Sequence, residues 1–271
     1  MTEYSESIQQ GHYAKKQILC QDRLISWSHA SRFQLALRIA QELNPRRVLD
    51  YGCGDGTFLA MAMKEMPNCT VAIGAEITDG LVQDCSRRLN GDSRLQFALT
   101  DSLDAPEYRQ SFDAIFCMEV LEHVPDVTPL LDRFARLLAP DGALVISVPV
   151  ETGLPVLVKQ TFRRIAGWRG IGDYPGIAPY SYGDLLKSVF AGPRQHIVRP
   201  LHRDGENNAF HCHKGFNWMA LRETLRERFV IQQLRASPLP MLSPHLASQC
   251  WFVLRKRPSE CDSKQPAPSR D

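Results

Sequence analysis

Apolar and polar positions change places in blocks along this chain. From Asp22 to Leu43, in DRLISWSHASRFQLALRIAQEL, apolar residues recur at helical steps, and the following NPRR breaks the pattern. Short apolar runs and helical segments then take turns: RRVLDYG, GTFLAMAMKEM, CTVAIGAE, TDGLVQDCSRRL, RLQFALTD, FDAIFCME, VTPLLDRFARLL and GALVISVPV. Runs that are apolar on both sides suit parallel strands covered by helices on both faces. The alternation therefore predicts an α/β, doubly wound sheet. From Glu151 to about Lys214 the pattern turns irregular and rich in Gly, Pro and Tyr. Beyond it NWMALRETLRERF resumes a helix, and IQQLRASP and SQCWFVLRK supply late strands. The reading is a helical lid over residues 1–45, a main domain over 46–257 with an insertion at 151–214 after strand five, and a disordered polar tail at 258–271.

Composition narrows the partners. The 271 residues are 44% hydrophobic and 23% charged, which suits one large domain. Thirty-two Lys and Arg against thirty Asp and Glu leave a net charge of +2, so no global field for nucleic acid exists and any charge signal is local. The eight cysteines form no C-x-x-C pair and read as reduced thiols. MTEYSESIQQGHY has no apolar core, and no run approaches the ~18 apolar residues of a membrane span. The expectation is a cytoplasmic protein, with peripheral membrane contact left open. The oligomeric state is not legible.

The candidate chemistry begins in VLDYGCGDGTF, where Gly52, Gly54 and Gly56 lie between a strand and its helix. Backbone can approach a ligand there, with helix N-terminal amides aimed at it. A nicotinamide-binding turn wants glycine or alanine where Thr57 stands. Asp50, just before the first glycines, suits a positively charged cofactor better than a pyrophosphate, which it would repel. Glu76 ends the second strand, where a carboxylate can take both ribose hydroxyls.

With D-x-G-x-G-x-G, an acid ending strand two, TDSL after strand three and FDAIFCMEVLEHVPD around strand four, residues 46–150 resemble the class I S-adenosylmethionine-dependent methyltransferases. The resemblance implies a Rossmann-like, seven-stranded sheet whose last strand is antiparallel. It also implies S-adenosylmethionine as cofactor, with Asp50 near the methionine end, Glu76 on the ribose, Asp101 and Ser102 at the adenine and Met118 closing the pocket. Asp101 reads equally as a helix N-cap.

EVLEHVPD gathers Glu119, Glu122 and His123. If the chain turns helically after Met118, the three share one face. His123, with Glu119 beside it, is a candidate base at the end of strand four, where open α/β sheets bind ligands; it also reads as a helix-start residue bonded to backbone or Glu119. Two groups resemble parts of the chain. Quinone-biosynthesis O-methyltransferases share EVLEHVPD, and small-RNA 3′-terminal 2′-O-methyltransferases pair E-x-x-E-H with a downstream segment like HCHKGFNW. The second resemblance implies a divalent ion, Mg²⁺ or Mn²⁺, on Glu119, Glu122, His123 and His213. Gly215 and Cys212 depart from that pattern, and the segment reads equally as a loop entering a helix.

Residues 154–203 hold eight Lys and Arg against two Asp, a local +6, and should roof the acceptor site. Within them LPVLVKQTFRRIAGWRG reads as an interfacial helix for a lipid-borne substrate or as a lid helix with a solvated basic face. The leading expectation is O-methylation of a small, anionic or lipid-linked metabolite. Metal-dependent RNA ribose methylation is the second; near-neutral charge and the lack of an aromatic-interleaved basic stripe speak against nucleic acid. The third is a non-catalytic, S-adenosylmethionine-binding regulatory module.

Overall fold

The computed structural model describes residues 6–20, 23–168, 180–195, 197–203, 205 and 207–257. The tail expected to be disordered lies outside them, as do the side chains of Phe162, Ile165 and Trp168.

Strand β1 (Arg47–Tyr51) is followed by α3 (Thr57–Ala62), β2 (Val71–Glu76), α4 (Asp79–Arg88), β3 (Leu95–Leu99), β4 (Phe112–Met118), α5 (Thr128–Leu137) and β5 (Leu138–Pro149). Before them stand a short α1 (Glu6–Gln9), a wide turn at Ala14–Ile18 and the long α2 (Arg23–Leu43). Asn44, at φ 42°, ends α2 just ahead of Pro45. The sheet has seven strands in the order β3-β2-β1-β4-β5-β9-β8. β1 to β5 run parallel, and β9 (Gln249–Lys256), last in sequence, enters antiparallel between β5 and β8 (Phe229–Ser237). This is the Rossmann-like architecture that the resemblance implied.

The two-sided apolar runs explain the layering. In β4, Ala114 and Phe116 pack with Leu35 and Ile39 of α2 and Phe58 of α3, whereas Ile115 and Cys117 pack with Leu131 and Phe134 of α5 and Leu225 of α8 (Trp218–Arg228). Successive strand residues feed opposite faces, so a central strand must be apolar throughout. The chain reverses direction across the sheet at β1, which pairs β2 on one side and β4 on the other, opening a crevice outside the strands' carboxyl ends.

The irregular stretch after β5 carries α6 (Leu154–Trp168), α7 (Tyr182–Val189) and a hairpin of β6 (Leu201–Arg203) with β7 (Ala209–His211). Asn217 then starts α8, its side chain accepting from the amides of Met219 (3.1 Å) and Ala220 (3.4 Å).

Candidate active site

The glycine loop wraps a cavity at the switch point. Its lining includes Tyr13, Arg32, Phe33, Asp50, Gly52, Cys53, Gly54, Asp55, Phe58, Met118, Glu119, Ser147 and Trp251. All three loop glycines have left-handed φ, but for different reasons. A Cβ on Gly52 would meet Val120 Cγ2 at 2.4 Å, and one on Gly56 would meet Leu89 Cδ1 at 2.8 Å. Gly54 has nothing within 4 Å of that position, so its hydrogen faces open space. Gly52 and Gly56 answer to packing; Gly54 keeps the cavity clear.

Three acids surround the loop. Asp50 is buried, and its carboxyl is pushed up to about 8 by that burial, then by the negative charges of Glu76 and Asp55. Glu76 accepts from the amides of Gly54 (3.0 Å) and Ile77 (2.7 Å), which fixes the loop to the end of β2. Asp55 takes the amides of Tyr13 (2.8 Å) and Ala14 (3.3 Å) and of Thr57 (3.1 Å). It thus ties the N-terminal segment onto the loop, a link for which the sequence carries no signal. Arg88 of α4 reinforces it, donating to the carbonyl of Ser7 at 2.7 Å and to that of Asp55. Met118 lies in the lining, whereas Asp101 and Ser102 are exposed in the turn after β3, with Ser102 Oγ donating back to the Leu99 carbonyl at 2.7 Å.

After Met118 the chain makes a left-handed step at Glu119, φ 57°, and then a turn in which the His123 amide donates to the Val120 carbonyl at 2.9 Å. The helical continuation expected there is absent; α5 starts at Thr128. The left-handed step is worth about 1–2 kcal/mol of strain in a residue with a Cβ, and it separates the two glutamates. Glu119 faces the cavity, where Arg32 Nη1 holds it at 2.9 Å and Ser147 Oγ donates to it at 3.2 Å. Arg32 also contacts His29, whose imidazole is pushed down to about 3, first by burial and then by that guanidinium. His29 in turn meets the Tyr13 hydroxyl at 2.7 Å.

Glu122 instead joins His123 and His213, with one ligand atom of each within 4.8 Å of the others. Its carboxyl is fully buried, and neither oxygen has a hydrogen-bond partner. Burial first, and the neighbouring Glu119 second, push it well above the usual carboxylate range. His123 Nδ1 donates to the carbonyl of His211 at 2.8 Å, and its Nε2 lies 3.9 Å from Glu122 Oε1. That ring meets His213 edge to face at 4.8 Å between centroids, and His213 is held down to about 4 by burial and then by His123. Of the four suggested metal ligands, three converge and Glu119 is drawn towards Arg32.

Arg199, from the insertion, stitches this arrangement together by donating to the carbonyls of Glu122 and Cys212 while lying over the Phe216 ring at 5.2 Å. Gly215, at φ 75°, lets the chain pass Ile197, whose Cγ2 would lie 2.9 Å from a Cβ. Nothing in the sequence singles out Arg199. Ser147 did leave a trace, as a lone polar residue within GALVISVPV.

A model of the methyltransferase domain family matches residues 26–189, more than half of the chain. Trans-aconitate 2-methyltransferase of Methylobacterium radiotolerans is 33% identical over 171 residues, covering 58% of this chain and 62% of that protein. A ubiquinone biosynthesis O-methyltransferase of Xanthomonas oryzae pv. oryzae is 41% identical over 135 residues, covering 46% of this chain and 53% of that protein. The chain thus spans little more than half the length of these curated relatives. Among solved structures, the N-methyltransferase NodS of Bradyrhizobium japonicum in complex with S-adenosyl-L-homocysteine superposes with a TM-score of 0.51 at 18% identity, over 85% of this chain and 87% of that one. A protein from Pyrococcus horikoshii reaches 0.54 at 13% identity, over 94% of this chain and 100% of its own. At these identities the likeness is one of fold. Since the family match starts within α2 and runs through the glycine loop, the Glu119–His123 turn and on to α7, this chain belongs to the methyltransferase domain family.

Proposed function

We propose that the chain transfers the methyl group of S-adenosylmethionine to a hydroxyl of a small, anionic or lipid-linked acceptor, with His123 taking the proton. The observation that carries this reading is the fixed tautomer of His123. Its Nδ1–H is spent on a backbone carbonyl at 2.8 Å, which in a neutral imidazole puts the lone pair on Nε2, 3.9 Å from Glu122 Oε1, in a side chain that is 38% exposed. In the reaction the acceptor oxygen attacks the methyl carbon, the C–S bond breaks and its electron pair returns to sulfur. The hydroxyl proton goes to His123 Nε2.

The donor cavity supports the same reading. Buried Asp50 offers a carboxylate to the donor's cationic end, and Arg32 offers a guanidinium to its carboxylate. Glu76 is suited to the ribose, while Asp101 and Ser102 stay candidates for the adenine. The curated relatives act, by their names, on trans-aconitate and at oxygen in ubiquinone biosynthesis, which agrees with a small acceptor.

A second reading adds a divalent ion, Mg²⁺ or Mn²⁺. It rests on Glu122, a fully buried carboxyl with two unpartnered oxygens beside two imidazoles. Such a group is costly to bury alone and is a fitting ligand set with His123 and His213. A bound ion there would supply Lewis acidity to an acceptor hydroxyl.

The test uses S-adenosylhomocysteine release with a panel of phenols and hydroxy acids. Wild type should turn over with some member, and His123→Ala should be slower by roughly 100-fold or more with unchanged donor affinity. Equal turnover would move the base elsewhere. Calorimetric titration of Mn²⁺ into protein saturated with S-adenosylhomocysteine addresses the ion: one site, lost in His213→Ala, supports it, and silence in wild type removes it.

A further inference from the structure

We propose that the outer face of the insertion is a docking surface for an anionic lipid bilayer. Helix α6 presents Leu154, Leu157 and Val158, related by three and four residues and all exposed. Helix α7 and its end present Tyr182, Leu186 and Phe190, spaced by four, with Phe190 78% exposed. An amphipathic helix ordinarily buries such a stripe against the core. Here α6 and α7 pack on one another and both stripes stay open to solvent. Apolar patches of this kind mark interaction sites.

Charge selects the occupant. The Asp184 carboxylate of α7 is already engaged by Lys214 at 2.9 Å and adds no free negative charge to the face. Lys187 of α7 and Arg194, in the turn that follows it, are exposed. Apolar side chains interleaved with cations fit a headgroup layer of negative lipids. No helix among the described residues is long and apolar enough to cross a membrane, so the contact is peripheral.

The patch lies close to the chemistry. α6 is fastened below by Lys159, which donates to the buried Glu151 at 2.9 Å, and both of these charges act on His213. A membrane-borne acceptor would then be delivered to the insertion whose helix α6 adjoins the surroundings of His213. That consequence rests on the O-methyl transfer reading; the docking itself does not.

Full-length protein is sedimented with phosphatidylcholine vesicles, with and without phosphatidylglycerol, beside the variants Leu186→Glu/Phe190→Glu and Lys187→Glu/Arg194→Glu. Light scattering gives the mass in solution, and S-adenosylhomocysteine titration checks that each variant is folded. We expect binding to the anionic vesicles only, weakened about tenfold or more in both variants and by salt, with unchanged S-adenosylhomocysteine affinity. No vesicle binding by wild type overturns the proposal, as does binding that the substitutions leave intact. A dimer that the substitutions dissolve, without vesicle binding, would assign the face to a second copy of the chain and equally overturn it. Loss of S-adenosylhomocysteine binding in wild type would strike the methyl-transfer reading and leave the vesicle result standing.

Discussion

Arg32 of α2 and Glu119 at the end of β4 form a 2.9 Å ion pair in the lining of the cavity, 87 residues apart in sequence. The pair ties the N-terminal helix to the turn that carries His123. Under the proposed function Arg32, in the cavity lining, would also meet the anionic end of the donor. Arg32→Gln is expected to weaken S-adenosylmethionine binding by roughly 10- to 100-fold, the range for losing a charged hydrogen bond in a dry site. Arg32→Lys should fall between, since it keeps the charge and loses the fork. Calorimetry reads both, and unchanged affinity in the Gln variant would remove Arg32 from the donor site.

Asp50 sets the sign of a pH effect. Its folded pKa is about 8, above the ordinary value of about 4 in the unfolded chain, so between those limits the folded state holds the extra proton. Ligand-free stability must then fall as pH rises through that window. His29 and His213, held down to about 3 and about 4, act oppositely up to about pH 6.5, whereas buried Glu122, also pushed up, acts in the same sense as Asp50, so the decline above pH 6.5 belongs to the two carboxyls and Asp50→Asn isolates one share. The Tm of wild type should decline there, and Asp50→Asn should flatten the curve. A cationic donor favours the carboxylate, so S-adenosylmethionine should bind more tightly towards pH 8 and release a proton, detectable as a buffer-dependent heat.

Gly54 and Gly56 should separate binding from folding. Gly54→Ala meets no neighbour and carries only the strain of φ 55°, about 1–2 kcal/mol, yet its methyl enters the cavity and should strongly reduce donor affinity. Gly56→Ala adds contacts of 2.8 Å with Leu89 and 3.0 Å with Phe97 to the strain of φ 71°. It should lose more stability, about 2–4 kcal/mol, and melt earlier. Equal melting of the two variants would contradict this division.

Asp55 holds the N-terminal segment on the loop through the amides of Tyr13 and Ala14. Asp55→Ala should release residues 6–20 to proteolysis and raise the Kd for S-adenosylhomocysteine, while the sheet keeps its far-ultraviolet circular dichroism. If cleavage in that segment proceeds at the wild-type rate, the tether lies elsewhere.

Local chemistry made much of this molecule legible in advance. Two-sided apolar runs such as FDAIFCM need helices on both faces wherever they fold, and so declare a parallel sheet. DYGCGDG needs left-handed backbone at three positions, and an acid ending VAIGAE sits one strand away; their nearness follows from the parallel pairing of β1 with β2. These are short-range regularities, fixed by backbone stereochemistry and the two-residue period of a strand.

The partners of the acids were decided by tertiary contacts. Spacing in EVLEHVPD put Glu119, Glu122 and His123 on one helical face, but a left-handed step at Glu119 gave the two glutamates separate surroundings, one with Arg32 and Ser147 and one with His213. Tyr13, Asp55 and Arg199 take their roles from bonds that span 13 to 77 residues, which no periodicity encodes. A sequence lays down which backbone shapes are allowed; which buried charge faces which depends on how separate elements pack, because desolvation and pairing are properties of the assembled interior.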